Sequence, residues 1–564
     1  MDSVFFIILR RMRAPLLLLI SIYAVAVLGL TLVPGVDAQG RTTEPLSFFH
    51  AFYFVSYTAT TIGFGEIPQA FSDAQRLWVT VCIYLTVVGW SYSIITLLAL
   101  VQDRGFQQAV TRIAFTRRAY RMGESFYIVC GAGETGSIVH LALDRMGVRS
   151  VALDTSEPRI QEIDLLELHA DVPALAADAS QPDILLAAGL QHKKCRGVLA
   201  LTDNEEVNLA VAIAARLLRP DIPVLARVQT QAVADNMASF GTNFIVSAYE
   251  SFAEQLALAL HAPVIHRMAQ WLTGIADAPL PAAGRPPTGT WIVCGYGRFG
   301  HAVVEALDEK QLPVTLIAPQ ADAAPGRRLI VGTGTEATPL IEAGVREAVG
   351  IVCGTNNDVN NLSIAMTARD INRALYVVMR QNHSGNSALF EAFKADMTLV
   401  PSRLVAQRCL TILTTPLLSE FLERAKKQDD AWATPVAQAL EACNGGRVPL
   451  VWSVRLNISQ AEALYRELMA GADIALEVLT RDSSFASDYL NVVPLMLERG
   501  SQFHLLPEAT TRLKAGDEIL FAGNQRARNL QELSLRNTNT LNYLLTGRDS
   551  PGGWIWRRWG SRRR

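Results

Sequence analysis

Thr58-Ala59-Thr60-Thr61-Ile62-Gly63-Phe64-Gly65-Glu66 is the stretch on which the fold turns. Glycines at 63 and 65 free the backbone to adopt conformations closed to other residues, so successive carbonyls can be aimed along one axis, with the Thr61 hydroxyl beside them. The surroundings limit the meaning. Residues 14–33 (APLLLLISIYAVAVLGLTLV) and 77–101 carry no charge, and each is long enough to cross a bilayer at about 1.5 Å per residue. Between them, residues 46–60 (LSFFHAFYFVSYTAT) are aromatic and too short to cross, as a re-entrant half-helix would be. The order is span, half-helix, glycine-bearing loop, span.

This stretch resembles the TxTTVGYGD filter signature of potassium channels, with Ile for Val, Phe for Tyr and Glu for Asp. The resemblance implies a pore in which backbone carbonyls replace the hydration shell of K+, the filter being Thr61, Ile62, Gly63, Phe64 and Gly65. Phe64 has no hydroxyl to bond the half-helix, so Tyr53, Phe54 and Tyr57 are expected to brace the filter by packing. On the second span Gly89 is a candidate hinge or close-packing residue, and Leu97 and Val101, four apart on one face, are candidates for a hydrophobic gate.

An N-terminal apolar run after Arg10, Arg11 and Arg13 can also be a signal peptide, with Val36-Asp37-Ala38 as a weak cleavage site. The run exceeds the usual signal core, and its removal would take away one wall of the pore. Basic residues before the first span and after the second (Arg104, Arg112, Arg117, Arg118, Arg121) put both termini on the cytoplasmic side of an inner membrane.

The remaining chain is of ordinary globular composition. Its 564 residues suggest three or four domains, and a net charge of −2 argues against nucleic-acid binding. Seven cysteines are scattered singly, a pattern of a reducing compartment without a zinc site.

An internal repeat organises this part. Residues 126–136 (FYIVCGAGETG) match 291–300 (WIVCGYGRFG), 199–208 (LALTDNEEVN) match 351–361 (IVCGTNNDVNN), and 224–227 (VLAR) match 377–380 (VVMR). Each opening is a β-branched strand entering GxGxxG before a helix-like stretch, the pattern of a dinucleotide-binding turn, and the downstream alternation implies a doubly wound parallel sheet. The expected fold is a helical membrane pore followed by two Rossmann-like α/β domains and a small α+β lobe. Expected bounds are 1–101 for the pore, 102–124 for a linker, 125–275 and 290–428 for the repeats around a linker at 276–289, 440–530 for the lobe, and 531–564 for a basic tail.

In the first repeat Gly131, Gly133 and Gly136 would form the tight turn, admit a pyrophosphate and let helix pack on strand, with Glu134 and Thr135 opening the helix. Asp154, with Thr155, ends the next strand, where a carboxylate accepts ribose hydroxyls and favours NAD over NADP. Thr202 and Arg227 end later strands, and Arg227 is a candidate phosphate partner. In the second repeat the glycines are Gly295, Gly297 and Gly300, with Arg298 and Phe299 between them. The position of Asp154 is held there by Ala318, so nucleotide binding at that turn is doubtful, with Arg327, Arg328 and Arg380 as candidate phosphate partners. Either glycine set can also serve packing alone, and the second has the stronger case for it because it lacks the carboxylate.

A two-span pore with two such repeats resembles the prokaryotic potassium channels with tandem RCK domains, of the multi-ligand-gated GsuK type. Residues 448–523, with LKAGDEILFA at 513–522, are similar to the TrkA-C-like lobe of that family. The resemblance implies a homotetramer in the lipid bilayer whose cytoplasmic ring senses NAD(H) or ADP, with Asp178 and Ala179 bordering the adenine. Calcium is a further candidate ligand, with Asp203, Glu205, Glu206 and Asp358 as carboxylates that could bind it, and no site is placed. It implies no enzyme. The alternatives are a membrane-tethered NAD-dependent oxidoreductase, against which no catalytic His, Lys or Tyr constellation is visible, and a regulatory subunit of a potassium transporter, which would have no use for a filter. The tail WIWRRW at 554–559 with Arg562 to Arg564 is a candidate interfacial anchor.

Overall fold

The computed structural model describes residues 2–37, 40–66, 70–274, 276–280, 284–320, 326–485 and 488–547, with side chains from Met12 onward. The Trp/Arg tail, Ala38 and the side chains of Arg10 and Arg11 lie outside them. The chain forms two compact units, 1–121 and 122–564.

In the first unit, helices Asp2–Leu32 and Asp73–Gln102 are long and apolar enough to cross a membrane and pack on each other around the short helix Phe48–Ala59. Two glycines set that packing. A Cβ on Gly29 would lie 2.0 Å from the Trp78 ring, and one on Gly89 would lie 2.7 Å from the Ile22 terminal methyl. Gly89 thus seats one helix against the other, and the helix runs through it from Asp73 to Gln102. Ser72 opens this second helix with a capping box on Gln75, whose fully buried amide also reaches the Val33 carbonyl at 2.9 Å. Residues 104–120, expected as linker, form a further helix: Asp103 caps it at Phe106 N–H, and past Gly105 in its first turn no proline or glycine interrupts it.

The second unit holds two six-stranded parallel sheets and one four-stranded antiparallel sheet. In the first repeat the strands lie in the order Ala174–Ala176, Arg149–Asp154, Phe126–Cys130, Cys195–Ala200, Val224–Val228, Phe244–Ser247, which is chain order three-two-one-four-five-six. The second repeat has the same order around its central strand Trp291–Cys294. The chain reverses direction across the sheet beside each central strand, which leaves a crevice at the strand ends where the glycine-rich turns sit.

The repeats are joined by an exchange. Helix Ala248–His261, which follows the last strand of the first repeat, puts Phe252, Leu256 and Leu260 among Trp291, Phe299 and Val303 of the second. Helix Pro401–Thr414 returns Val405, Ala406 and Cys409 to Val129, Val139 and Leu143 of the first. Each exchanged helix is stopped by a proline, Pro263 or Pro416, that begins a new one. Those following helices, with Asp430–Cys443, form a third core against the antiparallel sheet.

The lobe reaches further than its expected end at 530. Helices Gln525–Arg536 and Thr538–Thr546 bury Leu535, Leu541 and Leu544, so the stretch up to 546 belongs to the lobe and not to the tail. The apolar pair at 541 and 544 has the three-residue spacing of one helix face.

Candidate functional site

In the glycine-bearing loop the backbone turns left-handed at every second residue, with φ of 62° at Thr61, 64° at Gly63 and 74° at Gly65. Thr61 pays a steric penalty that its glycine neighbours avoid. The loop is held to the half-helix: the Tyr57 carbonyl accepts from Ile62 N–H (3.0 Å) and Gly63 N–H (3.2 Å). At the far end the Tyr57 hydroxyl donates to the Glu66 carbonyl (2.9 Å) and the Tyr53 hydroxyl to its carboxylate (3.1 Å). Bracing was expected by packing alone, and here it comes through hydrogen bonds to Glu66. Packing adds to it, with Tyr57 edge-on to Phe64 and Phe54 edge-on to Tyr57. Leu97 and Val101 are exposed near the end of the long helix.

In the first repeat each glycine of the turn has a distinct reason. Gly131 has φ of 108° and a Cβ there would meet Thr202 N at 2.9 Å, while one on Gly136 would strike the Gly131 carbonyl at 1.9 Å. On Gly133 it would meet nothing closer than Arg159, at 3.6 Å, so this face is open. It opens on a cavity of about 350 Å³ that also touches Glu134, Thr135, Thr202 and Arg227. Asp154, Thr155, Asp178 and Ala179 are not in its wall.

Asp154 is more engaged than a free ribose ligand would be. Its carboxylate, nearly buried, accepts from Ala132 N–H (2.7 Å) and Ser156 N–H (2.8 Å), and Arg159 stands 3.7 Å away. Each oxygen keeps a second lone pair for a hydroxyl. The side chain therefore also serves the fold, holding the glycine-rich turn to the neighbouring strand. Asp178 caps its own turn at Ser180 N–H.

The other wall of the cavity comes from the second repeat, through Arg380, Asn382, His383, Pro401 and Ser402. Glu134 bridges to it, accepting from Ser384 N–H (2.9 Å), Ser384 Oγ and Ser402 Oγ. Partial burial works against the Glu134 charge, yet these donors outweigh it and hold its pKa below the usual carboxylate range. Arg380 was expected at the second turn. Its guanidinium instead donates to Tyr249 Oη and Asn356 Oδ1, and burial holds its pKa below the ordinary value.

The second turn repeats the glycine geometry, with φ of 91° at Gly295 and a Cβ on Gly300 placed 2.0 Å from the Gly295 carbonyl. Its own cavity, about 320 Å³, is lined by Gly297, Ala318, Thr333, Thr355 and Asn356 among others and by no charged side chain. Arg298 is exposed and Phe299 fully buried. Arg327 and Arg328 do not reach this cavity: Arg327 pairs with Asp308 at 2.5 Å and Arg328 donates to the Glu342 carbonyl.

Three of the four carboxylates considered for calcium are engaged within the fold, and the fourth, Glu206, is exposed. Glu205 accepts from Gln229 N–H and Thr230 N–H, and Asp358 from the N–H groups of Asn382 and His383 and the Asn386 amide. Burial opposes the Asp358 charge, but those bonds lower its pKa. Asp203 pairs with Arg227. Among the described residues no three His, Cys, Asp or Glu side chains converge on a metal position.

Several participants escaped the sequence reading. Arg159, Tyr249, Asn382, His383 and Ser402 lie outside the repeated motifs and reach the cavity only through the helix exchange and chain reversal. Asn208 and Asn361 did have a signal, their repeated place after the fourth strand. Each is buried, accepts from the Thr202 or Thr355 N–H and hydroxyl, and donates to the Arg227 or Arg380 carbonyl.

Residues 16–103 match the ion channel family model, and residues 127–248 and 291–401 each match the TrkA-N domain. The chain is an ion-channel domain followed by two TrkA-N domains. Potassium channel protein 1 of Methanocaldococcus jannaschii is 24% identical over 209 residues, 37% of this chain and 61% of the relative. Voltage-gated potassium channel Kch of Escherichia coli is 25% identical over 231 residues, 41% of this chain and 53% of the relative. The chain spans less than two thirds of the length of the curated relatives it matches. The solved GsuK channel covers 97% of this chain with all of its own length, at 16% identity and a TM-score of 0.44. The two TrkA-N domains are the two repeats, and the charged cavity lies at the glycine-rich turn of the first.

Proposed function

We propose that this protein is a potassium-selective channel of four identical subunits, both termini cytoplasmic, gated by a nucleotide bound to the first TrkA-N domain. The observation that carries the channel reading is the loop at 61–65, left-handed at alternate residues and tied at both ends to Tyr57. A backbone alternating in this way turns successive carbonyls toward one line, and four such loops make the oxygen cage that strips water from K+. The ion-channel match over residues 16–103 and the potassium-channel relatives support it. Leu97 and Val101 would form the constriction below the filter.

The nucleotide reading is supported by the first cavity: an open Gly133 face at a helix N-terminus, with Arg159 and Arg227 beside it. NAD(H) or ADP suits it, the phosphates lying at Gly133 and the ribose at the remaining lone pairs of Asp154. Binding would change the pore by favouring one state of the cytoplasmic part over another. Calcium forms no part of this reading.

Potassium flux from liposomes carrying the purified chain tests it. Flux should be K+-selective and change on adding NAD or ADP. Gly63→Ala should abolish it with assembly intact, because φ of 64° disfavours any Cβ by about 1–2 kcal/mol although the space around it is open. Unchanged selective flux in that variant would remove the filter assignment.

A further inference from the structure

Arg227 and Arg380 close equivalent strands of the two repeats, yet both line the cavity of the first. Arg380 stands between the two turns: one nitrogen donates to Asn356 of the second turn, while another reaches Tyr249 at the start of the exchanged helix, on whose ring the guanidinium lies at 4.9 Å. Its Nε–H is buried without an acceptor among the described residues. Arg380 lines the first cavity, and no charged side chain lines the second.

Arg227 is mostly buried and its charge is answered by Asp203 at 2.8 Å, with Arg159 at 3.8 Å on the same carboxylate. Asp203 itself is 68% exposed. It is an acid held at the cavity wall by two arginines, with most of its surface in water. Such a carboxylate keeps water as an alternative partner, so a ligand that brings its own negative charge to Arg227 can take its place without leaving the buried guanidinium unpaired. A diphosphate offers more charge and more acceptor oxygens to the same guanidinium groups.

Resting on the nucleotide reading above, we propose that the two repeats build one diphosphate site per chain, with Arg227 and Arg380 as its cations and Asp203 as a resident anion that the ligand displaces. Ligand arrival then exchanges a bond within the first repeat for one that joins both repeats. The second glycine-rich turn takes no diphosphate, because its arginine serves the first.

Calorimetry with ADP and with inorganic pyrophosphate on the full chain in nanodiscs tests this. One ADP should bind per chain. Arg380→Gln should weaken ADP about tenfold, the loss of a charge-assisted contact. Asp203→Asn should tighten both ligands by about threefold or more, and a damaged fold cannot produce tighter binding. Two ADP per chain, or unchanged affinity in either variant, overturns the shared site. Failure of the parent chain to bind ADP and pyrophosphate overturns the nucleotide reading itself.

Discussion

At residue scale, side chains that fill or leave a single gap decide several outcomes. Gly29→Ala would drive a methyl into the rigid Trp78 ring, which also donates to the Ala26 carbonyl, so it should destabilise the membrane unit by about 1–3 kcal/mol. Gly89→Ala meets only the flexible end of Ile22 and should cost less. Melting of the assembly in detergent compares the two. Histidine 140 is fully buried, with Nδ1 on Ser150 Oγ and Nε2 unpartnered, and burial lowers its pKa from 6.5 to about 4. The unfolded chain takes up the proton first, so stability present above about pH 6.5 is lost as the pH falls toward 4, by about 3 kcal/mol at most. His140→Met should flatten melting temperature against pH across that window; an unaltered slope would show the acid sensitivity lies elsewhere.

At the scale of elements, the turn and its supporting strand form one piece. Asn208→Ala would orphan the Thr202 N–H and the Arg227 carbonyl, each about 1–3 kcal/mol when buried, and should loosen nucleotide binding through the displaced Thr202 and Arg227. Thermal unfolding together with ADP titration checks this; a stability loss at constant affinity would make Asn208 a fold residue only. The elements were readable in the sequence where a residue type has one physical use. Gly131, Gly136 and their copies sit where no side chain fits, and the apolar runs at 14–33 and 77–101 have one solvent that suits them. Partnerships were not readable. Nothing in VVMR says that Arg380 reaches Tyr249 of the first repeat, and nothing in VALD says that Asp154 already holds two backbone N–H groups. Those depend on contacts between residues far apart in the chain, and the helix at 538–546 was missed because its short apolar pair is indistinguishable from a tail without the lobe beneath it.

At the scale of the whole second unit, the exchanged helices make each repeat's core depend on the other. Phe252→Ala removes a ring from the second repeat although residue 252 belongs to the first, at a cost of about 3–5 kcal/mol. Amide exchange should then rise in the helix Arg298–Glu309 more than in the sheet that holds Phe126–Cys130. The reverse pattern would mean the exchange carries little of the stability.

The same exchange bears on synthesis at the ribosome. The strands of the first repeat are complete by Ser247, yet the face formed by Val129, Val139 and Leu143 is covered only by Val405 to Cys409, roughly 160 residues later. At about 5–20 residues per second that face waits on the order of ten seconds or more for its cover. During that interval the nascent first repeat presents a sticky apolar patch to the surrounding water, which makes it a natural client for a holding chaperone.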